Sequence, residues 1–265
     1  MLSTIADYLR ISKDMTKSLS LTAKQPDVSR ETDYYLAHIG KVKSIDDFLK
    51  DYRLYSYAMK AYGLGDMTYA KAFMRKVLTE GISSNTSFAN KLSDSRYRSF
   101  AAAFNFAALG ANATQTTAAQ TGTTQHYVQQ TMEEDAGNQN QGVRLALYFA
   151  RKASSITNAM QILADPALTQ VVQTALGLSP TVSAGNIDSQ AVMLTKMINF
   201  ADFKDPAKVS QFTQRFAAMW DATQASNDLA NGTSTDPALI LTGQATATGM
   251  DVNLLTTLQS IKLGR

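Results

Sequence analysis

The stretches DYRLYSYAMKAYGL (residues 51–64) and DPALTQVVQTALGL (residues 165–178) place Asp, Leu, Ala, Gly and Leu at the same five positions, 114 residues apart. This repetition constrains the fold more than any other feature of the chain. In the first copy Leu54, Tyr57, Ala58 and Ala61 fall at i, i+3, i+4 and i+7, one apolar stripe of a helix, and Gly63 follows where a helix ends in a left-handed residue. In the second, Leu168, Val171, Val172 and Ala175 form the same stripe and Gly177 stands where Gly63 stood.

The parallel continues downstream. A helix over Thr68–Thr79 is predicted to turn Phe73, Met74, Val77 and Leu78 inward, with Gly81 closing it, and Val192, Met193, Met197 and Ile198 take that role in the second half. Asp94, Phe100 and Phe104 are answered by Asp205, Phe212 and Phe216, the offset slipping to 111 and then 112. A constant offset followed by a small slip is the mark of duplication with loop insertions and deletions. Strand signals are scarce. The expected fold is all-α, a helical body of two duplicated multi-helix halves with amphipathic terminal helices.

The expected organisation is an N-terminal amphipathic arm at 1–29, a first helical repeat at 30–109 and a polar linker at 110–125. A second repeat at 126–221, a second polar linker at 222–249 and a C-terminal amphipathic helix at 250–265 follow. The first linker, GANATQTTAAQTGTTQ, is uncharged and rich in Ala, Thr and Gln, and reads as a loosely ordered connection. Asp51, Asp94, Asp165, Asp205 and Asp236 each precede a helix, three of them in Asp-Pro-Ala. That placement suits N-caps, since Asp accepts from orphan first-turn N–H groups and Pro at the first helical position loses nothing.

Several function classes are disfavoured. The chain has no cysteine, which removes disulfides, thiolate metal sites and cysteine nucleophiles. Its net charge of +3 is mild, and the densest basic group, Lys91, Arg96 and Arg98, adjoins Asp94, a weak signal for nucleic acid. No segment has the eighteen or so apolar residues of a membrane span. The start, MLSTIADYLRISKDMTK, has neither a long apolar run nor a small-residue cleavage site, so no cleaved secretory signal is expected.

There are two histidines. His38 in YYLAHIGKV reads as a packed or partly exposed helical residue, and His126 sits at the edge of the Thr-rich linker, a poor mount for a catalytic group. The acidic run Glu133, Glu134, Asp135 is consecutive and cannot converge as calcium ligands. It reads as a helix running out to Ala136 and ended by Gly137. Tyr97, Phe100 and Phe104 share a helical face and read as core, and Trp220 as packing at the end of its helix. No phosphate-binding, nucleophile-elbow, dinucleotide or zinc motif occurs, so no catalytic, cofactor-binding or metal-ligating residue and no cofactor is expected. Two terminal stripes remain: Leu2, Ile5 and Leu9 at the start, and Leu254, Leu255, Leu258 and Ile261 at the finish. Short amphipathic helices need a partner surface, so these seven residues either fold back on the body or bind partners.

Three runs carry a family resemblance: YYLAHIGKVKSIDDFLKDYRLYSYAMKAYGLGDMTYAKAFMRKVLTEGI, FANKLSDSRYRSFAAAFNF and GVRLALYFARKASSITNAMQILADPAL. They resemble the alphaproteobacterial domain-of-unknown-function family numbered twelve-seventeen, over most of residues 30–221. The resemblance implies a helical protein of unassigned biochemistry, often encoded among flagellar genes, and brings no catalytic residues with it. Absence of cysteine and of a cleaved signal, with amphipathic ends, is similar to flagellar axial subunits. The expectation is a non-enzymatic flagellum-associated protein acting by protein–protein contact, a structural or assembly component exported without a cleaved signal. The alternative is a cytoplasmic adaptor or export chaperone. Its partners would be other flagellar or export proteins or copies of itself, with no nucleic acid and no membrane span.

Overall fold

The structure, a computed structural model, describes residues 3–178 and 185–230, and every regular element among them is helical. The order begins with α1 (Thr4–Lys13), α2 (Met15–Ala23), α3 (Pro26–Ile39), α4 (Ile45–Lys50) and α5 (Tyr52–Ala61). It continues with α6 (Lys71–Glu80), α7 (Phe88–Lys91), α8 (Ser95–Ala103), α9 (Phe106–Leu109), α10 (Thr123–Gln139) and α11 (Gln141–Lys152). The last are α12 (Ala159–Leu163), α13 (Pro166–Leu176), α14 (Ile187–Met197) and α15 (Pro206–Ala230).

The aspartates act as caps. Asp51 accepts from the Leu54 N–H at 3.0 Å, and Asp165 from the N–H groups of Ala167 and Leu168 at 2.9 and 3.2 Å. Asp94 accepts from the Arg96 N–H at 2.9 Å and Asp205 from the Ala207 N–H at 2.8 Å, while Asp236 lies outside the described residues. Both predicted stops have left-handed φ, +70° at Gly63 and +68° at Gly177. Past them the Leu64 N–H reaches back to the Met59 carbonyl at 2.8 Å, and the Leu178 N–H to the Gln173 carbonyl at 2.9 Å. This pattern satisfies the orphan carbonyls of a helix end.

Two apolar clusters form. One gathers α3 to α9 and the start of α10, centred on Phe48, Tyr55, Phe100 and Phe104. The other gathers α11 to α15 around Phe149, Val171, Val172 and Phe216. Tyr97, Phe100 and Phe104 are buried as the spacing predicts, with Phe104 4.8 Å from the Phe48 ring.

Several expectations are corrected. Residues 110–125 are not a loose connection: Gly110–Gln115 is a 3-10 helix and Ala118–Gly122 a π turn, and Ala113, Thr114 and Ala119 are fully buried. Uncharged Thr and Gln side chains satisfy neighbouring backbone here. The Thr114 hydroxyl donates to the Val42 carbonyl at 2.8 Å, and the Gln120 amide to the Thr114 carbonyl at 3.1 Å. Gly137 does not stop α10; it lies inside the helix, where a Cβ would meet Arg144 Cδ at 2.7 Å. Its missing side chain lets α11 approach. The helix expected from Thr68 begins at Lys71, after a 3-10 turn over Gly65–Met67. Trp220 is interior to α15, which runs ten residues further through the expected second linker to Ala230. Of Val192, Met193, Met197 and Ile198, only Ile198 is buried; Val192 and Met197 are exposed, and Leu194 takes the inward position on α14.

Candidate functional site

The α10–α11 hairpin lies between the two clusters, and its charges are drawn into a seam. Glu133, only 1% exposed, is held by Arg151 through Nε at 2.6 Å and Nη2 at 2.7 Å, and accepts from Gln129 at 3.0 Å. Consecutive helical residues point about 100° apart, so its neighbours reach elsewhere. Glu134 pairs with Lys60 of α5 at 3.0 Å, and Asp135 accepts from Gln25 at 3.2 Å. The acidic run ties three elements together, and no described group of His, Asp or Glu could hold a metal ion.

Around this pair lie Arg96, held by Asp94 at 2.8 Å and donating to the Gly63 carbonyl, and Tyr148, whose hydroxyl donates to Asp165 at 2.6 Å. Burial pushes the Tyr148 hydroxyl far above the usual phenol range, with Asp165 adding to the effect. It therefore remains a donor rather than a base. Desolvation lowers the Lys152 ammonium, and the Arg151 charge lowers it further. His126 sits 5.1 Å from the Tyr62 ring, and desolvation, then Arg151 and Lys152, lowers it. His38 is a packed helical residue as expected, its Nδ1 2.7 Å from the Tyr34 carbonyl and its ring stacked on Tyr34 at 4.0 Å. The seam's carboxylates are engaged with cations, tyrosine hydroxyls and backbone caps, an arrangement suited to joining elements.

The described N-terminal residues are fastened to the body. The Thr4 N–H donates to Asp221 Oδ1 at 3.1 Å and the Ser3 hydroxyl to Oδ2 at 3.3 Å, while the Thr4 hydroxyl meets the Asn140 side chain at 2.9 Å. Thr4, Tyr8 and Ile11 are buried, the latter two in the second cluster. The indole of Trp220 packs on Gly142, where a Cβ would stand 2.5 Å from Cδ1. Thus residues 4–13, read as part of an arm, complete a core. The inward stripe is Thr4, Tyr8 and Ile11, one register away from the predicted Leu2, Ile5 and Leu9. Leu9 is left 41% exposed and Ile5 half-buried, while Leu2, Leu254, Leu255, Leu258 and Ile261 lie outside the described residues. Sequence reasoning missed Thr4, Asn140, Gly142 and Asp221; the available signal was Ser3-Thr4 as a helix start preceding Tyr8 and Ile11.

These helices, caps and seam define an all-helical protein with two apolar clusters. The chain belongs to the family described as Protein of unknown function (DUF1217), whose model matches residues 61–209. It is similar to a protein of Agrobacterium tumefaciens whose X-ray crystal structure was determined by the Northeast Structural Genomics Consortium. The two share 54% identity with a TM-score of 0.77 over 83% of this chain and 93% of that one. No curated protein matches the chain. No helix among the described residues is long and apolar enough to cross a membrane.

Proposed function

We propose that this chain is a non-enzymatic protein that works by protein–protein contact, as an exported structural or assembly component associated with the bacterial flagellum. The flagellar part rests on the family resemblance. The contact part rests on one observation: Leu9 stays exposed on a helix whose opposite face is locked to the body. A leucine held outward on a fixed helix is a preformed anchor, since no ordering cost remains to be met on binding. The antiparallel run of α1 along α15, with Thr4 beside Asp221 and Tyr8 reaching Thr213, brings the start of the chain against the helix that leads to its C-terminal segment. Fractionation tests the reading: the tagged chain should co-purify with flagellar basal bodies and be lost from them when flagellar export is disabled. Retention in the cytoplasm with a soluble flagellar subunit attached would favour the adaptor reading instead.

The same proposal includes duplication of the body. Supporting it, Tyr34 donates to Asp51 at 3.1 Å and Tyr148 to Asp165 at 2.6 Å, each tyrosine 17 residues before its aspartate. Ser44 caps α4 and Asn158 caps α12, again 114 residues apart, and the two glycine stops have matching reach-back bonds. Shared side-chain roles at one offset, through hydroxyl, cap and stop, are hard to obtain from convergent packing.

A further inference from the structure

α1 and α2 are neighbours in sequence but are seated on different helices. α1 packs chiefly on α11 and α15, whereas α2 packs on α10 and α3. The fastenings of α1 to the body go to residues remote in sequence: Ser3 and Thr4 to Asp221, Thr4 also to Asn140, and Tyr8 to Thr213. The junction is one residue, Asp14, whose φ of −139° and ψ of 74° break the helix. Its carboxylate holds the break by accepting from the Lys17 N–H at 2.9 Å, the N-cap of α2.

The sequence on either side of that break is written as one helix. Thr4, Tyr8, Ile11, Met15, Ser18 and Thr22 are separated by alternating steps of four and three, a single stripe that crosses Asp14 without losing register. Each of them is buried or half-buried. Neither glycine nor proline occurs from Thr4 to Ala23, so the stretch lacks a helix breaker and the Asp14 cap holds the two helices apart. With Asp14 helical, residues 4–23 form one helix of about 30 Å, and α1 runs on from α2 instead of turning back to its own seat.

We propose that α1 exchanges between copies of this chain: with Asp14 straightened, each of two copies seats its α1 on α11 and α15 of the other. The seat specifies its occupant, since Asp221, Asn140, Thr213 and the second cluster are already matched to Ser3, Thr4, Tyr8 and Ile11. Reciprocal exchange of an identical element closes as a two-fold dimer and forms no contact that the single chain lacks, apart from the straightened junction. Leu9 stays outward in either seating. A short tether holds α1 at an effective concentration of roughly millimolar over its own seat, so exchange is favoured where copies are crowded to that range. Use of the exchange in an assembly rests on the proposed function; the exchange itself does not.

Two full-length batches, one Ser3→Cys and the other Asp221→Cys, are mixed under reducing conditions at roughly millimolar concentration and then oxidised. The chain has no cysteine of its own, so any disulfide reports this pair. A disulfide-linked heterodimer should form roughly tenfold more abundantly than from Tyr69→Cys mixed with Asp221→Cys, Tyr69 being highly exposed on the first half. Equal yields would overturn the proposal. Because Asp221→Cys also loosens the seat, the dimer fraction of the cysteine-free chain is measured by native mass spectrometry as well. Asp14→Ala removes the cap and supplies the best helix former, and should raise that fraction roughly tenfold. A dimer fraction unchanged by Asp14→Ala would overturn the proposal too. Both measurements use purified protein, whereas basal-body association reports the proposed function, so either can fail without the other.

Discussion

At Glu133 a carboxylate that sequence pattern assigns to the last turn of a helix ended by Gly137 is the most buried charge in the seam, clamped by both nitrogens of one arginine edge. The acidic run was legible as unable to bind calcium. Its three separate partners were not, because Arg151, Lys60 and Gln25 are remote in sequence and only tertiary packing of α10 brings them near. Arg151→Met should cost about 3–5 kcal/mol in denaturant unfolding, because Glu133 is then left charged and unpaired in the interior. Adding Glu133→Gln should recover part of that loss, a coupling that a purely additive double mutant would refute. His126 gives a pH signature. Its folded pKa is lowered by desolvation and the Arg151 and Lys152 charges, so the unfolded chain binds its proton more readily. Stability from this group is whole above the ordinary histidine value of about 6.5 and declines as pH falls through and below it. His126→Gln should flatten that part of the stability–pH curve; an unchanged slope would show that other groups set it.

Elements were largely readable where caps and stops were local. Asp51, Asp94, Asp165 and Asp205 cap as their spacing implies, and Gly63 and Gly177 end their helices. What misled was the amphipathic stripe: at α1 Leu9 and Ile5 stand outside the core while Thr4, Tyr8 and Ile11 enter it, since Asp221, Asn140 and Thr213 supply partners for the polar atoms of Thr4 and Tyr8. The Thr- and Gln-rich stretch misled for a related reason, as side-chain bonds to carbonyls replace the apolar pattern that marks packed segments. Asp51→Ala and Asp165→Ala should each destabilise by at least about 1 kcal/mol, the usual worth of a cap, with the tyrosine bond added. Gly63→Ala and Gly177→Ala should each cost about 1–2 kcal/mol for a left-handed alanine. Circular dichroism melts check both pairs, and matched losses within each pair are what the proposed duplication requires.

For the molecule as a whole, the all-α class followed from periodicity and family membership from the runs that match the model over residues 61–209. The placement of the first helix did not follow, because it depends on Gly142 admitting Trp220 and on Asp221 accepting from Thr4. Deleting residues 1–20 removes Tyr8 and Ile11 from the second cluster, and should lower Tm sharply instead of leaving the body intact. Gly142→Ala, which forces a Cβ into the indole, should act in the same direction by about 1–3 kcal/mol. In the proposed function the body holds Leu9 outward for a flagellar partner. The direct measurement is the amount of protein retained on isolated basal bodies for the natural chain and for Leu9→Asp, with Tm measured alongside. The natural chain should be retained and Leu9→Asp lost, at unchanged Tm. Equal retention of the two, or absence of the natural chain from basal bodies, would contradict it.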